Sequence, residues 1–359
     1  MDFTMSDERR MVRDMVSRFL SDQDDKQQPA VVYSGLADLG VLAALFTEDQ
    51  GGMGGTGYDL VAIFEELGRA GRPNPLLSIV PAGQLIARSD HPDRNALVEE
   101  MISGDLIVAL AHSEPDSRYD FGRVDATAKH QGDTVVLNGQ KTNIAWGDQA
   151  QRFIVSARLD DKIELYLVPA DTAGLTRESY KMIDGSGGAN VTLVDVQLPA
   201  SSRLALSEDA LLVLEQATAF GIVALSAQAL GAMKAAKALT LDYMRQRKQF
   251  GTTIGSFQAL QHRMVDLAVE VEQVRSSVIN LAGHIGGSRP QRQHYVSAAK
   301  CLIGRVAHLV AEETIQMHGA IGLTQEYELS RFVFLLVAYD HIYGDSDYHL
   351  EQFVKWTSR

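Results

Sequence analysis

Apolar residues in the first hundred positions recur at intervals of three and four. Met11, Val12, Met15, Val16 and Phe19 make one such face, and Asp7 stands where a helix would be capped. Leu36 to Phe46 is a second apolar run, broken by the loop Asp49-Gln50-Gly51-Gly52-Met53-Gly54-Gly55. Helical spacing resumes from Leu60 to Leu67, and Gly71, Pro73 and Pro75 end it. Near residue 106 the pattern changes. Leu106 to Leu110 is a short apolar run, and Thr134-Val135-Val136-Leu137 leads into Asn138-Gly139, a hairpin signal. Arg152–Ala157, Ile163–Val168 and Val191–Val196 read as further strands. From about 207 the 3.6-residue period returns in four long stretches: Ala210–Arg245, Leu260–Ile285, Val296–His318 and Leu329–Tyr343.

This order predicts an α+β protein: an N-terminal helical domain over 1–105, a middle β domain, barrel-like, over 106–205, and a C-terminal four-helix bundle over 206–359. The length of 359 residues agrees, since single cores stop growing near ~250–300 residues. The net charge of −13 offers no electrostatic footprint for nucleic acid or an anionic membrane. The single Cys301 forbids an internal disulfide framework or a cysteine-based metal site, and at its apolar helical spacing it reads as a core thiol. The opening MDFTMSDERRMVRDMVSRFL is charged and amphipathic, unlike a secretory or transit segment. No apolar run reaches ~18 residues without a charge or glycine, so no membrane span is expected, and the protein is expected to be cytoplasmic.

Short strings along the whole chain carry more. The C-terminal stretch holds Arg245-Gln246-Arg247-Lys248-Gln249-Phe250-Gly251, then Ile254 and Phe257-Gln258, and later Gln316-Met317-His318-Gly319-Ala320-Ile321-Gly322. The middle stretch has His112-Ser113-Glu114-Pro115 and Leu137-Asn138-Gly139-Gln140-Lys141. The N-terminal stretch has Glu48-Asp49-Gln50-Gly51-Gly52-Met53-Gly54 and Phe64-Glu65-Glu66-Leu67-Gly68-Arg69. In this order they resemble the acyl-CoA dehydrogenase family.

That resemblance implies an FAD enzyme. A carboxylate takes the α-proton of an acyl-CoA, a hydride leaves the β-carbon for the flavin, and electrons pass on to an electron-transfer flavoprotein. It implies that Arg247 and Phe250 hold the diphosphate and ADP half of a neighbouring subunit's FAD, a role suited to a bidentate guanidinium. Gln258 would reach the adenosine end, or simply start a helix. Gln316 and Gly319 belong to the second FAD string, where a glycine lets backbone approach a diphosphate. Ser113 matches the hydroxyl near the flavin ring. Gly51 to Gly57 reads as a connecting loop, because it lacks the strand and Lys of a phosphate cradle. His318 and His341 read as helix-end histidines.

The chain also departs from the family. Where the family places Trp-Ile-Thr or Trp-Ile-Ser against the flavin ring, this chain has Asn143-Ile144-Ala145, with Trp146 following. Gly319-Ala320 replaces two glycines. The string carrying the catalytic Glu reads His341-Ile342-Tyr343-Gly344-Asp345, so the slot falls on Tyr343 or, with one gap, on Gly344. A second family location falls on Gly221, with Glu215 about two turns earlier. Asp345 is a shifted, shorter candidate. The expected function is a base-lacking subunit of a heteromeric acyl-CoA dehydrogenase, a heterotetramer in lipid or steroid catabolism, whose homologous partner subunit supplies the Glu. The alternatives are a self-sufficient homomer using a displaced carboxylate such as Asp345, or a flavin monooxygenase on the same fold.

Overall fold

The computed structural model describes residues 5–23 and 29–357; positions 1–4 of the amphipathic opening and the last two residues lie outside the described set. Among the described residues, ten α-helices and nine strands follow the predicted order of textures. Helix α1 (Asp7–Ser21) is capped by Ser6, whose Oγ accepts from Arg9 N at 3.3 Å, not by Asp7. Asp7 instead lies in the first turn, where a negative charge favours the helix dipole. The apolar face is narrower than the spacing predicts: Val16 and Leu20 are buried, whereas Met11 is exposed.

The run from Leu36 to Phe46 divides. Helix α2 (Pro29–Asp38) stops at Gly40, which is left-handed, and Val41–Leu45 forms a 3-10 turn. The glycine loop carries a further 3-10 turn at Glu48–Gln50 and no strand, and α3 (Gly57–Ala70) follows it. Two helices the period did not single out come next, α4 (Leu76–Ala87) and α5 (Arg94–Ile102).

The strands are β1 (Val108–Ala111), β2 (Thr127–Gln131), β3 (Thr134–Ala145), β4 (Arg152–Leu159), β5 (Lys162–Pro169), β6 (Leu175–Lys181) and β7 (Gly187–Pro199). They form one sheet in the order β1-β4-β2-β3-β7-β6, with β5 paired to β4. Its apolar core includes Ala109, Val135, Leu137, Phe153, Val155, Tyr166 and Val191.

The hairpin expected at Asn138-Gly139 does not exist. The β2–β3 hairpin closes instead at Gly132-Asp133, between the paired Gln131 and Thr134. Strand β3 runs through Asn138-Gly139 with a shift of register against β7. Gly139 has φ +148°, and a Cβ there would lie 2.5 Å from Cβ of Ala126. The glycine serves a close approach rather than a turn, and the extra residue at the register shift lies opposite it on β7.

The helical C-terminal part consists of α6 (Ala210–Gln246), α7 (Gln258–His284), α8 (Arg289–His318), α9 (Leu329–His341) and α10 (Ser346–Thr357). The last was not expected; it packs on α8. His318 and His341 end α8 and α9 as expected, and Cys301 is half-buried rather than a full core thiol. By packing, the chain groups into two compact units. One takes α1, α3 and the chain from Ile222 onward; the other takes α2 to Thr56 and Asn74–Gly221. Within the first, α3 and α6 meet at glycines: a Cβ on Gly68 would lie 1.9 Å from the Gln228 carbonyl oxygen, and one on Gly231 2.0 Å from that of Glu65. Lys234 and Glu65 pair beside that crossing at 2.8 Å.

Candidate functional site

In the sheet-bearing unit, β1 delivers His112-Ser113-Glu114 next to β3. The Ser113 carbonyl accepts from Thr142 N at 2.8 Å, and its hydroxyl is half-buried. On either side of this contact lies a buried ion pair. Lys141 is fully buried, and its Nζ donates to Glu114 Oε1 at 2.6 Å, Ser156 Oγ at 2.8 Å and the His112 carbonyl at 3.2 Å. Glu114 also accepts from Asp125 N at 2.6 Å and Ala126 N at 3.1 Å. Burial lowers Lys141 to about 8 against the upward pull of Glu114. His112 bonds Ser156 Oγ at 2.9 Å through Nδ1, stacks on Phe121, and is lowered to about 3 by burial and then by Lys141. The motif strings contain Glu114 and Lys141, but their pairing went unread. The signal was present: alternation along β3 puts Lys141 on the same face as buried Val135 and Leu137.

Beyond Lys141 the β3–β7 register shifts again before Ile144. Asn143 is exposed with φ +53°. The Ala145 carbonyl accepts from Ser78 Oγ at 2.9 Å. Trp146 has φ +57° and is only 3% exposed, so its indole is core and does not replace the missing aromatic wall.

In the other unit, α6 stops at Gln246, and Arg247 N bonds the Tyr243 carbonyl at 2.8 Å. A small hairpin follows, β8 (Lys248–Gln249) against β9 (Thr252–Thr253), turned by Phe250 at φ +53° and Gly251 at φ +82°. Two left-handed residues are what a tight two-residue hairpin requires. A bulky residue there is strained by about 1–3 kcal/mol, and such strain gathers at functional sites. Phe250 is nevertheless 92% exposed at the tip, its ring edge-on to that of Phe257 with centroids 6.3 Å apart. The Arg247 guanidinium is exposed and makes no ion pair or hydrogen bond among the described residues. Gln258 is the first residue of α7, exposed, with Phe257 at the cap position.

Gly319 ends α8 at φ +70°, with open space where a Cβ would be. Gln316 and Ala320 are exposed on either side of it. The two strings of this unit are joined by aromatic stacking that the sequence did not reveal. The His318 ring lies 4.5 Å from Tyr243, and Tyr327 packs beside both. His318 Nδ1 donates to the Thr314 carbonyl at 2.8 Å, which fixes the ring against Tyr243. Asp345 sits at the N-terminus of α10, and its Oδ1 accepts from Tyr348 N at 2.8 Å. Its carboxylate is a helix cap.

Models of the acyl-CoA dehydrogenase N-terminal, middle and C-terminal domains match residues 6–105, 109–197 and 212–357. The chain belongs to the acyl-CoA dehydrogenase family. It is 29% identical over 355 residues, 93% of each chain, to the probable acyl-CoA dehydrogenase YngJ of Bacillus subtilis. It is 27% identical over 346 residues, 90% of each chain, to a 3-(aryl)acrylate reductase of Clostridium sporogenes. In fold it is similar to a chain of the ChsE4-ChsE5 complex from Mycobacterium tuberculosis, with TM-score 0.89, 22% identity and coverage of 100% and 99% of the two chains. A glutaryl-CoA dehydrogenase of Mycobacterium smegmatis, solved with FADH2, has TM-score 0.88 and 24% identity, covering 99% of this chain and 95% of its own.

Acyl-CoA dehydrogenases are FAD-dependent oxidoreductases, and this chain is one by family. The residues present fit FAD at one end. Phe250 and Arg247 are exposed, and Gly319 has open space where a Cβ would be; apolar, cationic and backbone groups of this kind suit a nucleotide diphosphate. The ring-bracing string of the other unit offers neither an aromatic wall nor a hydroxyl.

Proposed function

We propose that this chain is the base-lacking subunit of a heteromeric FAD-dependent acyl-CoA dehydrogenase, which introduces a 2,3-double bond into a bulky, steroid-like acyl-CoA. The observation that carries this reading is Asp345: it is the one acid in the loop 342–345, and its carboxylate caps α10. Neither Tyr343 nor Gly344 can act as a carboxylate base, and Gly221 is a buried helical glycine. Likeness of fold to a chain of the two-chain ChsE4-ChsE5 complex supports the heteromer.

In this reading Arg247 meets the diphosphate of an FAD shared with the sister chain, and Phe250 and Gln258 cover its adenosine end. Gln316 and the backbone at Gly319 add to these contacts, and Ser113 offers a hydroxyl to the flavin ring. FAD, when bound, supplies the hydride acceptor. The α-proton goes to a Glu of the homologous subunit, and electrons leave through an electron-transfer flavoprotein. We place the assembly, a heterotetramer, in the cytoplasm.

The test compares two variants in the complex with its sister chain. Arg247→Ala removes a charge-assisted phosphate contact of about 1.5–3 kcal/mol, which is roughly a 10- to 100-fold loss of FAD affinity. Asp345→Asn keeps a capping side chain and leaves turnover unchanged. Loss of turnover in Asp345→Asn with FAD still bound, and a harmless Arg247→Ala, would instead favour a homomer with a displaced base.

A further inference from the structure

The loop Ile342-Tyr343-Gly344-Asp345 joins α9 to α10 and stands where the family carries its carboxylate. Lys300, on α8, is fully buried beneath it. Its Nζ donates to three carbonyl oxygens, Gly344 at 2.7 Å, Asp340 at 2.8 Å and Tyr339 at 2.9 Å. These are all the bonds an ammonium can donate. His349, also buried, donates from Nε2 to the Tyr343 carbonyl at 2.9 Å. Asp340 Oδ1 accepts from Ser346 N at 3.0 Å. Asp345 Oδ1 holds Tyr348 N, and its carbonyl holds His349 N at 3.0 Å.

The backbone held in this way is unusual. Tyr343 has φ +61° and Gly344 has φ +111°. A Cβ on Gly344 would lie 2.7 Å from Nε2 of His349 and 2.7 Å from Cδ1 of Tyr348. Nε2 of His349 is itself tied to the loop, so it cannot yield without releasing the Tyr343 carbonyl. A side chain at 344 therefore meets both a backbone shape that L residues rarely adopt and space already filled.

We propose that Lys300 is a positioning residue that locks the α9–α10 loop in a form closed to any side chain at 344, so that this chain cannot regain a base by substitution there. The catalytic consequence rests on the heteromeric reading above; the lock itself does not.

The lock has a pH signature. Burial lowers Lys300 to about 8, while the carboxylates of Asp340 and Asp345 pull it upward. The other titratable groups around it are His349, kept near 4 by burial, Tyr343, raised by burial, and His308, 3.4 Å from Asp340 Oδ2. Opening the loop returns Lys300 to its ordinary value of 10.5, so opening takes up a proton between those limits. The opening constant then falls with rising pH, by about tenfold per unit above 8.

Hydrogen exchange on the full chain tests this, corrected for the intrinsic base-catalysed rate, for wild type, Lys300→Met, Gly344→Ala and Gly344→Glu. In Lys300→Met the amides of Ser346, Tyr348 and His349 should exchange at least about tenfold faster, with α1 unchanged. Wild-type protection of these amides should rise above pH 8, and the rise should vanish in Lys300→Met. Both Gly344 variants should lose loop protection, and Gly344→Glu should gain no turnover as a single chain. If Lys300→Met does not fold, Gly344→Ala and Gly344→Glu decide. Gly344→Glu with wild-type protection and melting temperature would overturn the lock, as would Lys300→Met with wild-type protection of these amides. Turnover by the wild-type chain alone would end the heteromeric reading while leaving the exchange result intact.

Discussion

At the scale of single residues, the strongest commitments are buried charges. Removing Lys141 leaves Glu114 as an uncompensated buried carboxylate, which costs about 3–5 kcal/mol. Lys141→Met should therefore lower the denaturant midpoint sharply, and adding Glu114→Gln should recover part of the loss; equal midpoints for the single and double variants would contradict the pairing. The buried histidines give a second expectation. His112 and His349 are lowered to about 3 and about 4 by burial. Their depressed values mean that the unfolded chain binds protons first as pH falls below about 6.5. The stability they contribute is present above that pH and declines toward 4, by about 1.4 kcal/mol per unit for each histidine. His112→Gln should reduce the measured slope of unfolding free energy by about one proton. Period-two alternation made Lys141 legible in retrospect. Lys300 was not legible, because its partners are carbonyl groups some forty positions onward, and a sequence does not mark which carbonyls lack partners.

At the scale of elements, the long helices α6 to α9 could be read because they are long, apolar and free of proline in their interiors; α6 is buried on every side from 217 to 233. Helix α10 was missed: it is a short helix of 12 residues, and only His349 among them is buried. Asn138-Gly139 was misread for a different reason. Asn138 bridges to β7, accepting from Asp195 N at 2.9 Å and donating to its side chain at 3.1 Å. The same dipeptide that makes a tight turn also sits within a strand opposite a bulge, and only the partner strand distinguishes them. The α3–α6 crossing yields a direct test. Gly231→Ala places a methyl 2.0 Å from a backbone oxygen. Overpacking of this kind costs typically ~1–3 kcal/mol, so its melting temperature should fall. Gly286→Ala, with nothing within 4 Å, is the control and should melt like wild type.

At the scale of the whole molecule, the helical–sheet–helical order was legible because period changes along the chain report which face each segment buries. The motifs at Arg247, Phe250 and Gly319 were legible as strings of residue types. Their exposure was not: Arg247, Phe250 and Gly319 stand uncovered in the structure. The central claim is that this chain holds one end of an FAD and supplies no base. Half a site loses the contacts of the missing half, and affinity falls accordingly. The most direct measurement is the flavin absorbance and acyl-CoA turnover of the purified chain alone, then with a sister chain carrying the Glu. The account predicts little flavin and no turnover alone, and both in the mixed complex. A yellow single chain with near one FAD per protomer that oxidises an acyl-CoA unaided would contradict it.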